Sequence, residues 1–242
     1  MSGVPASSRV VEVSRLENIK AIFFDAGGTL IHLDSTRIRD LLNEELSIAI
    51  SLEGFKRAQF KAMARVSELV AAGAGSTEQL KHEFYTTLLP QTGVSEDRLD
   101  EAVACAFKLA REEMLWRKAD DGTASTLKKL RDRGYILAIV SNSDGRIESA
   151  FEQAGLTEHF DFFIDSFKVG VEKPDAGIFL MAAERARIKP SEAVYVGDLY
   201  AVDVVGSRNA GLFPILYDPF ELHSPTDCIS IRSIEEILTV LP

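Results

Sequence analysis

Three residues able to do chemistry each follow an apolar run: Asp25 in "KAIFFDAGGTL", Ser141 in "YILAIVSNSDG" and Asp198 in "AVYVGDLY". Runs of this kind read as strands buried on both faces of a parallel sheet. Ligands of open α/β sheets bind beyond the carboxyl ends of such strands, so a hydroxyl and two carboxylates would converge from distant parts of the chain. A fourth residue, Lys173 in "FKVGVEKPDAG", stands just before a helix expected to begin near Pro174. Helix N-termini attract anions, and the lysine ammonium would join an anionic group held at the same rim. The chemistry suggested is attack by a carboxylate on phosphorus, with an aspartyl phosphate as the intermediate. Phosphoryl transfer asks mainly for positioning and charge neutralisation. Asp25 and Asp198 can hold a magnesium ion, which takes hard oxygen ligands. Lys173, the Ser141 hydroxyl and backbone amides after Asp25 would surround the transferring oxygens. Gly27 and Gly28 let the backbone turn sharply and approach a substrate. Asp203, five residues beyond Asp198, would either steady the metal or pair with Lys173. Taken singly, each acid also has an ordinary reading as a cap or turn residue; the common position after buried strands favours the site.

The elements that must place these residues follow from the pattern of apolar positions. After the strand ending at Phe24, the texture of 35–117 changes to three-and-four spacing in "IRDLLNEELSIAI", "FKRAQFKAMARVSELVAA", "TEQLKHEFYTTLL" and "LDEAVACAFKLAREEMLW", separated by "GAGS" and "PQTGVS". This predicts about four helices and no strand. Beyond it strands and helices alternate: "ASTLKKLRDRG", "YILAIV", "RIESAFEQAGL", "DFFIDS", "DAGIFLMAAERARI", "AVYVG", "VDVVGSRNAG", "FPILYDP", "CISI" and "SIEEILTVL". Repeated strand–helix units imply a doubly wound parallel sheet. The expected organisation is an N-terminal lead-in at 1–17, an α/β core at 18–34 and 118–242, and a helical insert at 35–117.

Composition narrows the function classes. With 242 residues and 46% apolar composition, the chain can bury a full core. A formal charge of −10 argues against non-specific binding to nucleic acid or to an anionic membrane. Any anionic substrate must then meet a local positive site. Cys105 and Cys228 lack metal or redox spacing, as expected for reduced thiols of a cytoplasmic protein. The opening "MSGVPASSRVVEVSRLE" does not have the form of a signal peptide, and no apolar run approaches a bilayer span.

Four stretches, "FFDAGGTL", "IVSNS", the lysine of "GVEKP" and "VGDLYAVD", resemble in order the motifs of the haloacid dehalogenase-like hydrolase superfamily. The resemblance covers about 19–219, and the helical insert looks like the α-helical cap domain that one subclass carries after its first motif. It implies a Rossmann-like core, Asp25 as nucleophile, and phosphate binding by Gly28, Ser141, Asn142 and Lys173. It further implies magnesium held by Asp25, the backbone carbonyl of Gly27 and Asp198, with Asp203 and Thr29 in support. The implied partner is a small phosphorylated metabolite; monomer and homodimer are equally compatible.

Gly27 departs from the pattern. Phosphatases of the family usually carry there a second aspartate that protonates the leaving group. Glycine keeps the carbonyl ligand and removes the proton donor, a loss worth roughly 10²–10⁴-fold. His32, near the expected hinge of the cap, would either supply the proton or be an ordinary surface histidine. Asp34 reads as an N-cap or hinge residue, and Trp116 as core. Three alternatives stand beside a magnesium-dependent phosphatase: a metal-free 2-haloacid dehalogenase, whose members also lack the second aspartate; a phosphonate-cleaving enzyme; and a catalytically weak protein that binds a phospho-ligand or a partner.

Overall fold

A computed structural model describes residues 16–73, 77–223 and 227–242. Of the expected polar lead-in, all but Leu16 and Glu17 lies outside the described residues. Among the described residues the strands are β1 (Ala21–Phe24), β2 (His32–Leu33), β3 (Trp116–Lys118), β4 (Ile136–Ser141), β5 (Phe162–Asp165), β6 (Ala193–Gly197), β7 (Phe213–Tyr217) and β8 (Ile229–Ile231). Six of them form a sheet in the order β5-β4-β1-β6-β7-β8, every neighbouring pair parallel. After β1 the chain builds outward through β4 and β5 on one side, then through β6, β7 and β8 on the other. The carboxyl end of β1 is therefore the point where the winding reverses, the preferred ligand position of a doubly wound sheet.

Four helices follow β2: α1 (Ser35–Leu46), α2 (Phe55–Ala71), α3 (Thr77–Leu88) and α4 (Leu99–Glu112). The sheet is flanked by α5 (Thr123–Asp132), α6 (Ile147–Gln153), the single turn α7 (Ser166–Val169), α8 (Ala176–Arg185), α9 (Val205–Asn209) and α10 (Ile237–Val240). No helix among the described residues is long and apolar enough to cross a membrane.

The lack of alternation in β1 has its reason in the packing. Ile22 and Phe24 join Leu137, Ile139, Val194 and Val196 under α5 and α6, through Leu127, Leu130 and Phe151. Ala21 and Phe23 face the other way, with Ala138, Val140 and Tyr195, against Ile178, Phe179 and Ala182 of α8. Phe23 and Phe24 are fully buried on opposite faces, each contributing roughly 1.5–3 kcal/mol by burial. The cap has its own apolar centre, in which Ile38 and Leu42 of α1 meet Ala62 of α2, Leu88 of α3 and Val103 and Ala106 of α4.

Three local expectations need correction. The helical block was expected to contain no strand, yet β2 and β3 pair antiparallel where the chain leaves for the cap and returns from it. Of the two parts expected for Asp34 next to this ribbon, the N-cap is in place: its side chain accepts from Arg37 N at 3.2 Å and also pairs with Arg117 at 3.0 Å. The helix after Lys173 begins at Ala176, not Pro174, because Asp175 is its N-cap and accepts from Gly177 N at 2.7 Å. The segment after Asp198 opens as a π-helical turn, Tyr200–Val204, before α9.

Candidate active site

Asp25, Ser141 and Asp198 follow or end β1, β4 and β6, three adjacent strands, and all three are buried. Lys173 reaches the same place from the loop before α8. Its Nζ donates to Asp25 Oδ1 at 2.6 Å, Asp203 Oδ1 at 2.7 Å and the Tyr195 hydroxyl at 2.9 Å. An ammonium has three protons to give, and all three have acceptors, the condition under which a buried charge is tolerated. Asn142 fixes the lysine's backbone from both sides: its Nδ2 donates to Lys173 O at 2.9 Å and its Oδ1 accepts from Lys173 N at 2.8 Å. The Asn142 side chain thus has a positioning part in the site.

Thr29 donates its hydroxyl to Asp198 Oδ1 at 3.0 Å. Asp198 Oδ2 is buried and has no hydrogen-bond partner. Oxygens of Asp25, Asp198 and Asp203 lie within 4.8 Å of one another. If all are ionised, these three carboxylates against one ammonium leave two negative charges uncompensated. Burial, reinforced by the charges of Asp25 and Asp203, pushes the Asp198 carboxyl well above the usual carboxylate range. Burial likewise raises Asp203, opposed by Lys173, to about 6. Burial alone would lower Lys173, but Asp203 and Asp25 hold the ammonium above its ordinary value. A small hard cation suits this donor set, since it would satisfy the unpartnered Asp198 oxygen and offset the surplus negative charge.

Asp203 pairs with Lys173 and also accepts from Leu199 N at 2.9 Å. Of the two parts expected for it, pairing with the lysine is the one in place. Gly197 makes room for that carboxylate, because a Cβ there would overlap it.

The turn after Asp25 is tight: Leu30 N and Ile31 N both donate to Ala26 O, at 2.9 and 3.0 Å, and Gly28 N donates to Ile31 O at 2.8 Å. Gly28 has φ +93°, and a Cβ on it would lie 2.6 Å from both Asp198 Oδ2 and Met63 Sδ. Gly27 lies under the indole of Trp116.

His32 is buried, not a surface residue. Gln59 Oε1 accepts from Leu33 N at 3.2 Å, which turns its amide nitrogen toward His32 Nδ1 at 3.4 Å. That places the imidazole proton on Nε2, which faces Asp120 Oδ2 at 3.3 Å without aligned hydrogen-bond geometry. The polar contacts of His32 are thus with Gln59 and Asp120 at the hinge.

Two polar residues of the site escaped sequence reasoning. Tyr195 looks like one more apolar residue of "AVYVG", yet its hydroxyl accepts from Lys173 and donates to Val140 O at 2.7 Å. Asp165 ends β5 beside Ser141 and accepts from Gly145 N, Ile147 N and Phe167 N at 3.2, 3.4 and 3.0 Å, tying down the loop after β4. An acidic residue ending the strand "FIDS" was its available signal.

Known proteins are similar to this chain in sequence and fold. The bovine (Bos taurus) haloacid dehalogenase-like hydrolase domain-containing protein 3 is 34% identical over 169 residues, covering 68% of this chain and 65% of its own. The match to its mouse (Mus musculus) counterpart covers 38% of that protein, so the matched stretch spans less than two thirds of either relative. A glyceraldehyde 3-phosphate phosphatase of Methanothermobacter thermautotrophicus is 27% identical over 201 residues, 82% of this chain and 85% of that one. Among solved structures, the magnesium-bound HAD-hydrolase YfnB of Bacillus subtilis shares the fold at a TM-score of 0.68 and 21% identity, covering 93% of this chain and 99% of its own. With the haloacid dehalogenase-like hydrolase family matching residues 19–211, a span that includes Asp25, Ser141, Lys173 and Asp198, the chain belongs to that family of hydrolases.

Proposed function

We propose that this hydrolase is a magnesium-dependent phosphatase of small phosphorylated metabolites, working through an aspartyl phosphate on Asp25. The observation that carries the reading is the buried set of Asp25, Lys173 and Asp203 beside an Asp198 oxygen that has no partner. Asp25 Oδ attacks phosphorus, and the bond from phosphorus to the leaving-group oxygen breaks with its electron pair on that oxygen. Water then adds to phosphorus, the bond to Asp25 breaks, and carboxylate and dihydrogen phosphate result. Lys173, held by Asn142 and Tyr195, orients the nucleophile and offsets charge on the phosphoryl oxygens. Ser141 and the backbone after Asp25, at Gly28, would take the remaining oxygens. Magnesium, bound by Asp25, Asp198 and the carbonyl of Gly27, would supply neutralisation of the phosphoryl charge.

The side chain that would protonate a leaving group is absent at Gly27, and the contacts of His32 with Gln59 and Asp120 do not favour it as a substitute. Acyl and aryl phosphates, which depart without a proton, are therefore the favoured substrates. The buried, unpartnered oxygen of Asp198 speaks against the metal-free dehalogenase alternative, because a carboxylate in that setting costs stability without a cation.

The deciding experiment is a leaving-group series of acyl, aryl, alkyl and sugar phosphates with magnesium, on wild type and Asp25→Asn. Turnover should fall steeply as the leaving group becomes more basic, and Asp25→Asn should lose it while keeping a cooperative unfolding transition. Halide release from a 2-haloacid in excess chelator would instead establish the dehalogenase.

A further inference from the structure

The cap meets the core along one face of α2. Gln59, Met63 and Ser67 recur at four-residue spacing, which aligns them on a helix. Each touches the core or the hinge: Gln59 accepts from Leu33 N, Met63 packs over Gly28, and Ser67 Oγ accepts from Ala201 N at 3.0 Å. The middle contact lies at the reaction centre. The Met63 thioether and Asp198 Oδ2 converge on the Cα of Gly28, three residues past the nucleophile. Beside it Trp116, from the returning hinge strand, covers Gly27 and is backed by Phe84 of α3, with ring centroids 5.8 Å apart. Leu199, next to Asp198, packs into the same cap cluster.

Four of the cap's cations are held in ion pairs by carboxylates other than Asp25, Asp198 and Asp203. Arg37 is paired with Glu113, Arg39 with Asp40, Arg65 with Glu83 and Lys56 with Asp120. In-line displacement sends the leaving group away from the attacking carboxylate. Asp25 stands at the carboxyl end of the sheet, so that direction is toward the cap. We infer that the leaving-group side of the site is an apolar wall of Met63, Trp116 and Leu199, built for a phosphate carried on an uncharged aromatic or aliphatic group. Among these three side chains the indole N–H of Trp116 is the one good hydrogen-bond donor, too little to pair the hydroxyls of a sugar, and an unpaired charge buried against a thioether is strongly disfavoured.

This inference rests on the reading of Asp25 as a phosphoryl acceptor. Its test uses aryl phosphates in pairs matched for leaving-group acidity, one neutral and one bearing a carboxylate, so that polarity varies while the need for a proton does not. Wild type should favour the neutral member at least about tenfold in kcat/KM, as pocket contacts of this kind allow. Met63→Lys should narrow or reverse the preference, and Met63→Gln, which keeps the volume of the side chain, should reduce it severalfold should the lysine variant fail to fold. Equal kcat/KM for matched partners on wild type, with turnover intact, would overturn the apolar wall and leave the phosphatase standing. No turnover on any acyl or aryl phosphate would end the phosphatase reading and this inference together.

Discussion

Trp116 covers Gly27: a Cβ built on the glycine lies 3.1 Å from Trp116 Cε3 and 3.4 Å from Cζ3. The place where a relative would carry an acid is thus filled by an indole from the hinge. Inserting a carboxylate requires the ring to move, and forcing extra atoms into a packed contact costs about 1–3 kcal/mol. Gly27→Asp alone should therefore lower stability and bring no gain on alkyl phosphates. In a Trp116→Ala background the same change should cost less, so the double-mutant cycle in urea unfolding is non-additive. Additive effects would mean that the indole is not what excludes a side chain at this position.

Asp198 gives the metal prediction. Its unpartnered oxygen and the neighbouring carboxylates make the cation-free site electrostatically strained. Magnesium should raise the melting temperature of wild type, since a ligand at a hundredfold its Kd stabilises by about 2.7 kcal/mol. Asp198→Asn should melt higher than wild type in chelator and show little further rise with magnesium. A wild-type transition indifferent to magnesium would remove the metal from the proposal.

The legible parts of the sequence share a physical origin. Asp25, Ser141 and Asp198 stand out because a strand buried on both faces is uniformly apolar, so a polar residue at its end is conspicuous. The four cap helices follow from three-and-four spacing, and a doubly wound core from strand–helix alternation. The missed features lack any such period. The β2/β3 ribbon has strands of two and three residues, too short for alternation to register. Trp116 and Met63 belong by pattern to the cap's own core, and only tertiary structure brings them onto Gly27 and Gly28. Tyr195 is hidden because its ring packs like any core aromatic, T-shaped on Phe179 at 4.8 Å, while only its hydroxyl serves the site.

That hydroxyl supports a separate prediction. Burial, reinforced by the charges of Asp203 and Asp25, pushes the Tyr195 hydroxyl far above its ordinary pKa, so it remains a proton donor to Val140 O. Tyr195→Phe keeps the ring and strips one acceptor from Lys173 and one donor from a buried carbonyl. The stability loss should be about 1–3 kcal/mol. A loosened Lys173 should lower kcat more than it raises KM. A variant with wild-type kcat would show that Asp25 and Asp203 alone suffice to hold the lysine.

His32 and Asp120 set the pH dependence of the hinge. Burial lowers the His32 pKa below its model-peptide value; contact with Asp120 opposes this and nearby Lys56 adds to it. The folded protein therefore keeps the imidazole neutral at a pH where the unfolded chain already binds a proton. Stability from this residue is present above about pH 6.5 and is lost as pH falls toward the folded value, at up to about 1.4 kcal/mol per pH unit. Asp120 adds nothing to that window. Burial would raise its carboxyl, but His32 and Lys56 hold it below the usual range, so its contribution persists until the pH drops beneath about 3.8. His32→Gln should remove the loss near pH 6. Urea unfolding at pH 7.5 and 5.5 should show wild type losing more stability than the variant on acidification. Parallel losses would mean that His32 is as readily protonated in the folded hinge as in the unfolded chain.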